Sequence, residues 1–272
     1  MKILFVLISL CSTAFGQIKL TGIVRDKISK EPIEYANIGI KEKAIGTVCN
    51  SSGQFELLIP DNLKNNTLSI SHLGYKEFAL ILSKEKNLSG KLEIYLEPIA
   101  FELKELTISA QKEITMGYKP SGNSVKGYFQ ATGLGGEGGT LIRNKDSIVL
   151  TSFNLNILKL TFDSLKFRLN FYDVRNRKPL TKINKKDHLF ILSQRDTGIY
   201  TVALDDEQIN ISNDFICTIE LIEIFGQNNK NAEFLFSAKP DNEGLTYRRM
   251  ISYGKWEKFK KYSICFWLKG RQ

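Results

Sequence analysis

Leu20-Thr21-Gly22-Ile23-Val24-Arg25-Asp26, Glu31-Pro32-Ile33, Ala36-Asn37-Ile38 and Gly46-Thr47-Val48-Cys49-Asn50-Ser51-Ser52-Gly53-Gln54-Phe55 form the stretch that decides the fold. Apolar and polar residues alternate, and Gly, Pro and an Asn-Ser-Ser-Gly turn break the runs. A period of two with one polar face is the pattern of antiparallel strands packed on one side. The pattern continues outward. Ala36, Ile38 and Ile40 alternate with Asn37, Gly39 and Lys41; Phe55, Leu57 and Ile59 follow, then Leu68 and Ile70, then Leu92, Ile94 and Leu96. About seven strands within some 90 residues predict a β-sandwich.

Upstream lies Met1-Lys2, an apolar run over residues 3–11, and the small residues Ala14 and Gly16. This reads as a secretory signal over residues 1–16, cut before Gln17. The run is shorter than the roughly 20 residues that span a bilayer. Leu10 precedes Cys11 where a lipid-anchor cysteine wants a small residue, so Cys11 is read as part of the signal. No later segment is apolar enough for a transmembrane helix. The chain is therefore expected to be exported, in the periplasm, at the outer membrane or secreted, with peripheral membrane association left open. The remaining cysteines are Cys49, Cys217 and Cys265, an odd number. Cys217 runs in phase with Phe215, Ile219 and Leu221 and reads as a buried thiol. A Cys217–Cys265 bridge stays open.

Downstream, residues 17–109 form the first domain. Residues 110–126, with Gly, Pro, Ser and Asn and without apolar periodicity, read as a linker. Residues 127–272 resume strand patterning. In residues 165–172, Leu165, Phe167, Leu169 and Phe171 face one way, and Lys166, Arg168 and Asn170 the other. Eight or so strands there predict a second sandwich of jelly-roll type.

The formal charge of +9 is scattered, and no nucleic-acid module motif accompanies it, so no nucleic-acid partner is expected. The basic C-terminal residues Arg248, Arg249, Lys255, Lys258, Lys260, Lys261, Lys269 and Arg271 read as a solvated strand face. Their alternative reading is contact with an anionic envelope surface. His72 and His188 lack a Glu three or four residues on and read as strand-end side chains, so neither a metal nor another cofactor is expected. Gly133-Leu134-Gly135-Gly136-Glu137-Gly138 spells a dinucleotide fingerprint, but β-like segments follow where the helix should begin, so it reads as a turning loop. Asp205-Asp206-Glu207 reads as a solvated turn. Tyr247, Tyr253, Trp256 and Trp267 gather near the C-terminus; of these, Tyr253 and Trp256 are the candidate ligand-binding residues, as rings on which a sugar stacks.

The opening residues Gly22, Val24, Asp26, Pro32, Ala36, Gly46-Thr47, Gly53 and Phe55, with Gly74-Tyr75 further on, resemble the carboxypeptidase-regulatory-like domain over about residues 18–109. That resemblance implies a seven-stranded, Greek-key, transthyretin-like sandwich serving as an appendage and carrying no peptidase chemistry. Residues 103–108 resemble the segment that ends this domain in Gram-negative outer-membrane receptors. The sequence departs from the family at Cys49-Asn50, where relatives carry Thr and Asp. Residues 127–272 resemble the uncharacterised β-domain that often follows this module in envelope proteins. The resulting expectation is an all-β, non-enzymatic envelope protein. The first module is a scaffold and the second sandwich binds an envelope protein or glycan. The alternatives are a carbohydrate-binding or transporter accessory and, behind those, a glycan or peptide hydrolase.

Overall fold

The computed structural model describes residues 16–85, 90–99, 112–122, 124–129, 133–205, 208–226, 232–240, 243 and 245–272. Residues 1–15 of the stretch expected as a signal, residues 103–108, and Asp206 and Glu207 of the stretch expected as a solvated turn lie outside them. The described residues are almost entirely strand, with two single 3-10 turns at Asp61–Leu63 and Leu82–Lys84. None of their helices is long and apolar enough to cross a membrane.

The first sandwich contains β1 (Gln17–Asp26), β2 (Asn37–Gly39), β3 (Gly46–Val48), β4 (Gln54–Pro60), β5 (Thr67–Ser71), β6 (Phe78–Ile81) and β7 (Lys91–Leu96). One sheet has the order β4-β1-β7, the other β3-β2-β5-β6. Their inward positions, among them Leu20, Val24, Ile38, Phe55, Leu57, Leu68 and Ile94, form one core. Two of the family-matching residues are a single packing device. Gly22 lies opposite Phe55 across β1 and β4, and a Cβ at Gly22 would stand 2.6 Å from the Phe55 ring and 2.7 Å from the Leu92 carbonyl. Gly22→Ala is expected to cost about 2 kcal/mol by overpacking. Chemical denaturation should show that adding Phe55→Leu recovers only part, because the Leu92 backbone cannot move away.

Two more of these residues close turns. Asp26 accepts from the Ile28 and Ser29 amides and from the Tyr75 hydroxyl. Asn50 accepts from the Ser52 and Gln54 amides around Gly53, whose φ is 70°. The departure at Asn50 thus keeps a turn-closing oxygen without a carboxylate.

The second sandwich contains β8 (Glu113–Gly117), β9 (Val125–Tyr128), β10 (Glu137–Ile142), β11 (Ile148–Leu160), β12 (Ser164–Arg175), β13 (Lys178–Lys182), β14 (His188–Ser193) and β15 (Gly198–Ala203). It continues with β16 (Asn210–Ile211), β17 (Phe215–Phe225), β18 (Phe234–Pro240), β19 (Thr246–Arg249), β20 (Glu257–Phe259), β21 (Tyr262–Ile264) and β22 (Phe266–Arg271). One sheet runs β13-β12-β17-β10-β19-β20 with β14 beside β12. The other runs β21-β18-β11-β22-β8, with β15 and β16 on β11 and β9 on β18. These described strands outnumber the eight or so expected because register shifts and sheet changes divide the longer runs. Residues 262–271, for example, pair first with β18 and then with β11, and Cys265 sits between the two. The stretch expected as a linker supplies β8, which pairs with β22. Its backbone bonds are satisfied by the neighbouring strand, so it forms sheet without an apolar alternation of its own.

The inter-sheet core holds Leu165, Phe167, Leu169 and Phe171 of β12 with Phe153, Phe215, Phe234 and Phe266. This is the inward face expected from the alternation. Cys49, Cys217 and Cys265 are free, buried thiols. Burial pushes the Cys49 thiol up to about 12, which keeps it protonated and unreactive at neutral pH.

Candidate functional site

The opposite face of β12 is where sequence and structure part. Arg168 and Asn170 sit on the expected polar face, yet Arg168 is 1% exposed and Asn170 0%. Strand pairing places Arg168 opposite Glu220, Glu220 opposite Glu137, and Glu137 opposite Arg249. Four charges, ordered plus, minus, minus, plus, therefore cross β12, β17, β10 and β19 in one row. Two neighbouring carboxylates would repel. Asn170 relieves this by donating one bond to Glu137 Oε1 (2.8 Å) and one to Glu220 Oε2 (2.9 Å).

All four carboxylate oxygens of the row are occupied. Glu137 Oε1 also accepts from Thr218, and its Oε2 accepts from Tyr172 (3.2 Å) and Arg249 (2.8 Å to Nε). Glu220 Oε1 accepts from Asn37, and its Oε2 lies 3.3 Å from Arg168 and 3.5 Å from Lys182. Burial alone would raise the Glu220 pKa, but Lys182, Arg168 and Arg249 hold it well below the usual carboxylate range.

The first sandwich covers one end of this row. Arg168 donates to Asn37 Oδ1 (3.0 Å) and to the Tyr35 carbonyl (2.6 Å), and pairs with Asp187 (3.0 Å). Asn37 also donates to Ser252 Oγ (2.9 Å). The Tyr35 hydroxyl donates to Glu223 (2.9 Å) and accepts from Lys166 (2.5 Å). Asp187 further meets His72 Nε2 at 3.2 Å. An apolar patch of Tyr35, Val48, Ile222 and Leu134 sits beside these bonds. Gly46 lets the β2–β3 hairpin seat flat, since a Cβ there would lie 2.2 Å from the Ser252 carbonyl. The two sandwiches are thus joined by a desolvated polar interlock. Asp187, like Glu220, is acidified against burial, chiefly by Arg168. The stability these two carboxylates add is complete above the ordinary carboxylate pKa and is lost as pH falls through their lowered folded values.

His188, at the start of β14, is buried. Burial, with Lys186 adding to it, lowers its pKa to about 4 from the ordinary 6.5. The unfolded chain then takes up the proton first. Stability should be full above about pH 6.5, fall by up to about 1.4 kcal/mol per unit as pH drops, and level off below about pH 4. Urea unfolding across that window should show this slope, and His188→Asn should flatten it.

The sequence-derived ligand residues take other places. Tyr253 has a φ of 59°, and its carbonyl accepts from the Glu42 amide across the domain interface (2.8 Å). Trp256 is half-buried, edge-on to Tyr172 at 5.6 Å, with the Arg249 guanidinium over its ring at 4.9 Å. The two side chains therefore serve different neighbourhoods, and Trp256 already has a cation on one ring face. Tyr247 and Trp267 are buried. Asp205 is exposed and pairs with Arg271 at 3.4 Å. Among the described residues, no three or more His, Cys, Asp or Glu side chains gather as a metal site would require.

What the sequence reading missed is an open cleft of about 430 Å³ in the second sandwich. It lies where β9, β18 and β21 of one sheet part from β10, β19 and β20 of the other. Phe236, Ala238 and Ile264 are its buried apolar side chains, Glu137, Gly138 and Thr246 are also buried, and Phe129 and Met250 are half-buried. Phe259 and Tyr262, each more than a third exposed, stack at 6.0 Å and 22° where it opens. The available signal was the spacing Phe259-Lys260-Lys261-Tyr262, two rings flanking a basic turn.

Residues 20–108 match the model of the CarboxypepD_reg-like domain, so the first sandwich is a carboxypeptidase-regulatory-like domain. No curated protein matches the chain by sequence. Among solved structures, it is similar to the cysteine protease and lectin-like domains of Cwp84, a surface layer associated protein of Clostridium difficile. The identity there is 14% and the TM-score 0.36, over 57% of this chain and 37% of that one. It is also similar to a structure of infectious bursal disease virus, Gt strain, at 8% identity and a TM-score of 0.30, over 94% of this chain and 59% of that one. The chain spans less than two thirds of either.

Proposed function

We propose that this chain is a non-enzymatic binding protein exported to the cell envelope. In this reading the carboxypeptidase-regulatory-like module is a rigid scaffold and the second sandwich the binding domain. The observation that carries the reading is the open inter-sheet cleft, a concave site within the ~300–1,000 Å³ range of small-ligand pockets. The buried charges support a non-catalytic role. Glu137 and Glu220 are the paired carboxylates a hydrolase reading would turn to, and both are saturated with donors and neutralised by arginines. A general acid or base needs a free oxygen within reach of substrate. The signal-like N-terminus supports export. Capture tests the reading: full-length protein cross-linked in intact envelopes should retain a ligand, and Gly138→Val, which projects a branched side chain into the cleft, should lose it. Equal recovery with both chains would overturn the assignment of the cleft.

A further inference from the structure

We propose that the cleft of the second sandwich takes a single-chain anionic amphiphile, its alkyl chain between the sheets and its headgroup on the cations at the opening. This rests on the reading of the second sandwich as the binding domain and names its ligand class. Three observations carry it.

The interior is apolar and its polar groups are engaged. Phe236, Ala238 and Ile264 line it, and the charged residues bordering it, Glu137 and Arg249, pair with each other at 2.6 Å. The Thr246 hydroxyl donates to the Tyr262 carbonyl at 2.6 Å. A sugar would find few hydrogen-bonding partners here, whereas a methylene chain needs none.

The space has a defined base. A Cβ on Gly138 would meet only Phe129 at 3.8 Å and Ile264 at 3.9 Å, both ordinary contacts. A side chain is therefore accommodated at this glycine, whose backbone carries no positive φ that would forbid one.

The opening is cationic. Lys126 and Arg248 line it, and Lys260 and Lys261 extend the basic surface between the stacked Phe259 and Tyr262. Among the described residues no carboxylate pairs with Lys126, Lys260 or Lys261. The nearby Glu257 is held by Arg248 at 3.1 Å. An apolar slot beneath these cationic side chains is complementary to a carboxylate on an alkyl chain.

Calorimetric titration of the full chain with a homologous series of straight-chain carboxylates, and with the matching alcohols, tests this. Affinity should rise about fourfold per added methylene until the cleft is filled, and each carboxylate should bind more tightly than its alcohol. Lys260→Glu with Lys261→Glu should abolish the preference for the carboxylate and keep the dependence on length. Gly138→Val should lose binding with an unchanged melting temperature. Gly138→Ala, a milder change if valine perturbs β10, should only shorten the longest chain accepted. Affinity independent of chain length would overturn the proposal, as would undiminished binding by folded Gly138→Val, or binding to anionic vesicles that Gly138→Val leaves intact. If no carboxylate binds but Gly138→Val still abolishes envelope capture, the ligand class falls and the binding-domain reading stands; if both assays ignore Gly138→Val, both fall.

Discussion

Arg168→Ala is expected to lower the unfolding free energy by about 3–5 kcal/mol, the usual penalty for removing one partner of a buried ion pair. The guanidinium touches both sandwiches through four acceptors: Asn37, the Tyr35 carbonyl, Asp187 and Glu220. Without it, Glu220 keeps Lys182, Asn170 and Asn37, Asp187 keeps His72, and the Tyr35 carbonyl loses its charged donor. For a chain of this size the melting temperature should drop by roughly 10 °C. Amide exchange should accelerate first in β2, where the Asn37 Oδ1 loses its charged donor. Adding Glu220→Gln should recover part of the loss, because it removes one of the carboxylates left undercompensated.

The second large effect is expected at Glu137. Glu137→Gln should cost a similar ~3–5 kcal/mol, because Arg249 is left charged and half-buried without its carboxylate. Tyr172, Asn170 and Thr218 also donate to this group, and an amide cannot accept from all of them through both of its heads. The location of the damage should differ. None of the Glu137 partners belongs to the first sandwich, so accelerated exchange should centre on β10 and β19 and leave β2 protected. Equal protection patterns in the two variants would mean that the row does not divide between joining the domains and holding the second sheet. Replacing the whole row with apolar residues of similar volume should cost much less than either single change, since it removes the desolvation cost of the buried charges together with their attraction.

The fold was largely legible in the sequence because strand alternation and turn chemistry are local. Gly22 with Phe55, Asp26 with its loop, and Asn50 with Gly53 each act within one or two neighbouring strands. The inward face of β12 was read from Leu165, Phe167, Leu169 and Phe171 alone. Its outward face was not. Lys166, Arg168 and Asn170 have the same alternation whether the covering medium is water or another domain's polar edge. Only the register across β12, β17, β10 and β19 reveals that Arg168, Glu220, Glu137 and Arg249 share a row, and that register comes from residues scattered over more than a hundred positions. For the same reason Arg249, counted among surface cations, proved to be the partner of Glu137.

The ligand-site reading shows a similar limit. Tyr253 and Trp256 stood out as aromatic residues near Gly254 and Lys255, but the chain turns sharply through Tyr253 and sends the two rings to different neighbours. The exposed ring pair at Phe259 and Tyr262 depends on β20 and β21 lying on different sheets. Sequence spacing does not encode that separation, and it is the same separation that opens the cleft.

The polar interlock is expected to make the two sandwiches unfold as one unit. Differential scanning calorimetry of the full chain tests it most directly. The wild type should unfold in a single transition with equal calorimetric and van't Hoff enthalpies, and Arg168→Ala should separate it into two. Two independent transitions in the wild type, or an Arg168→Ala profile that keeps one, would contradict it.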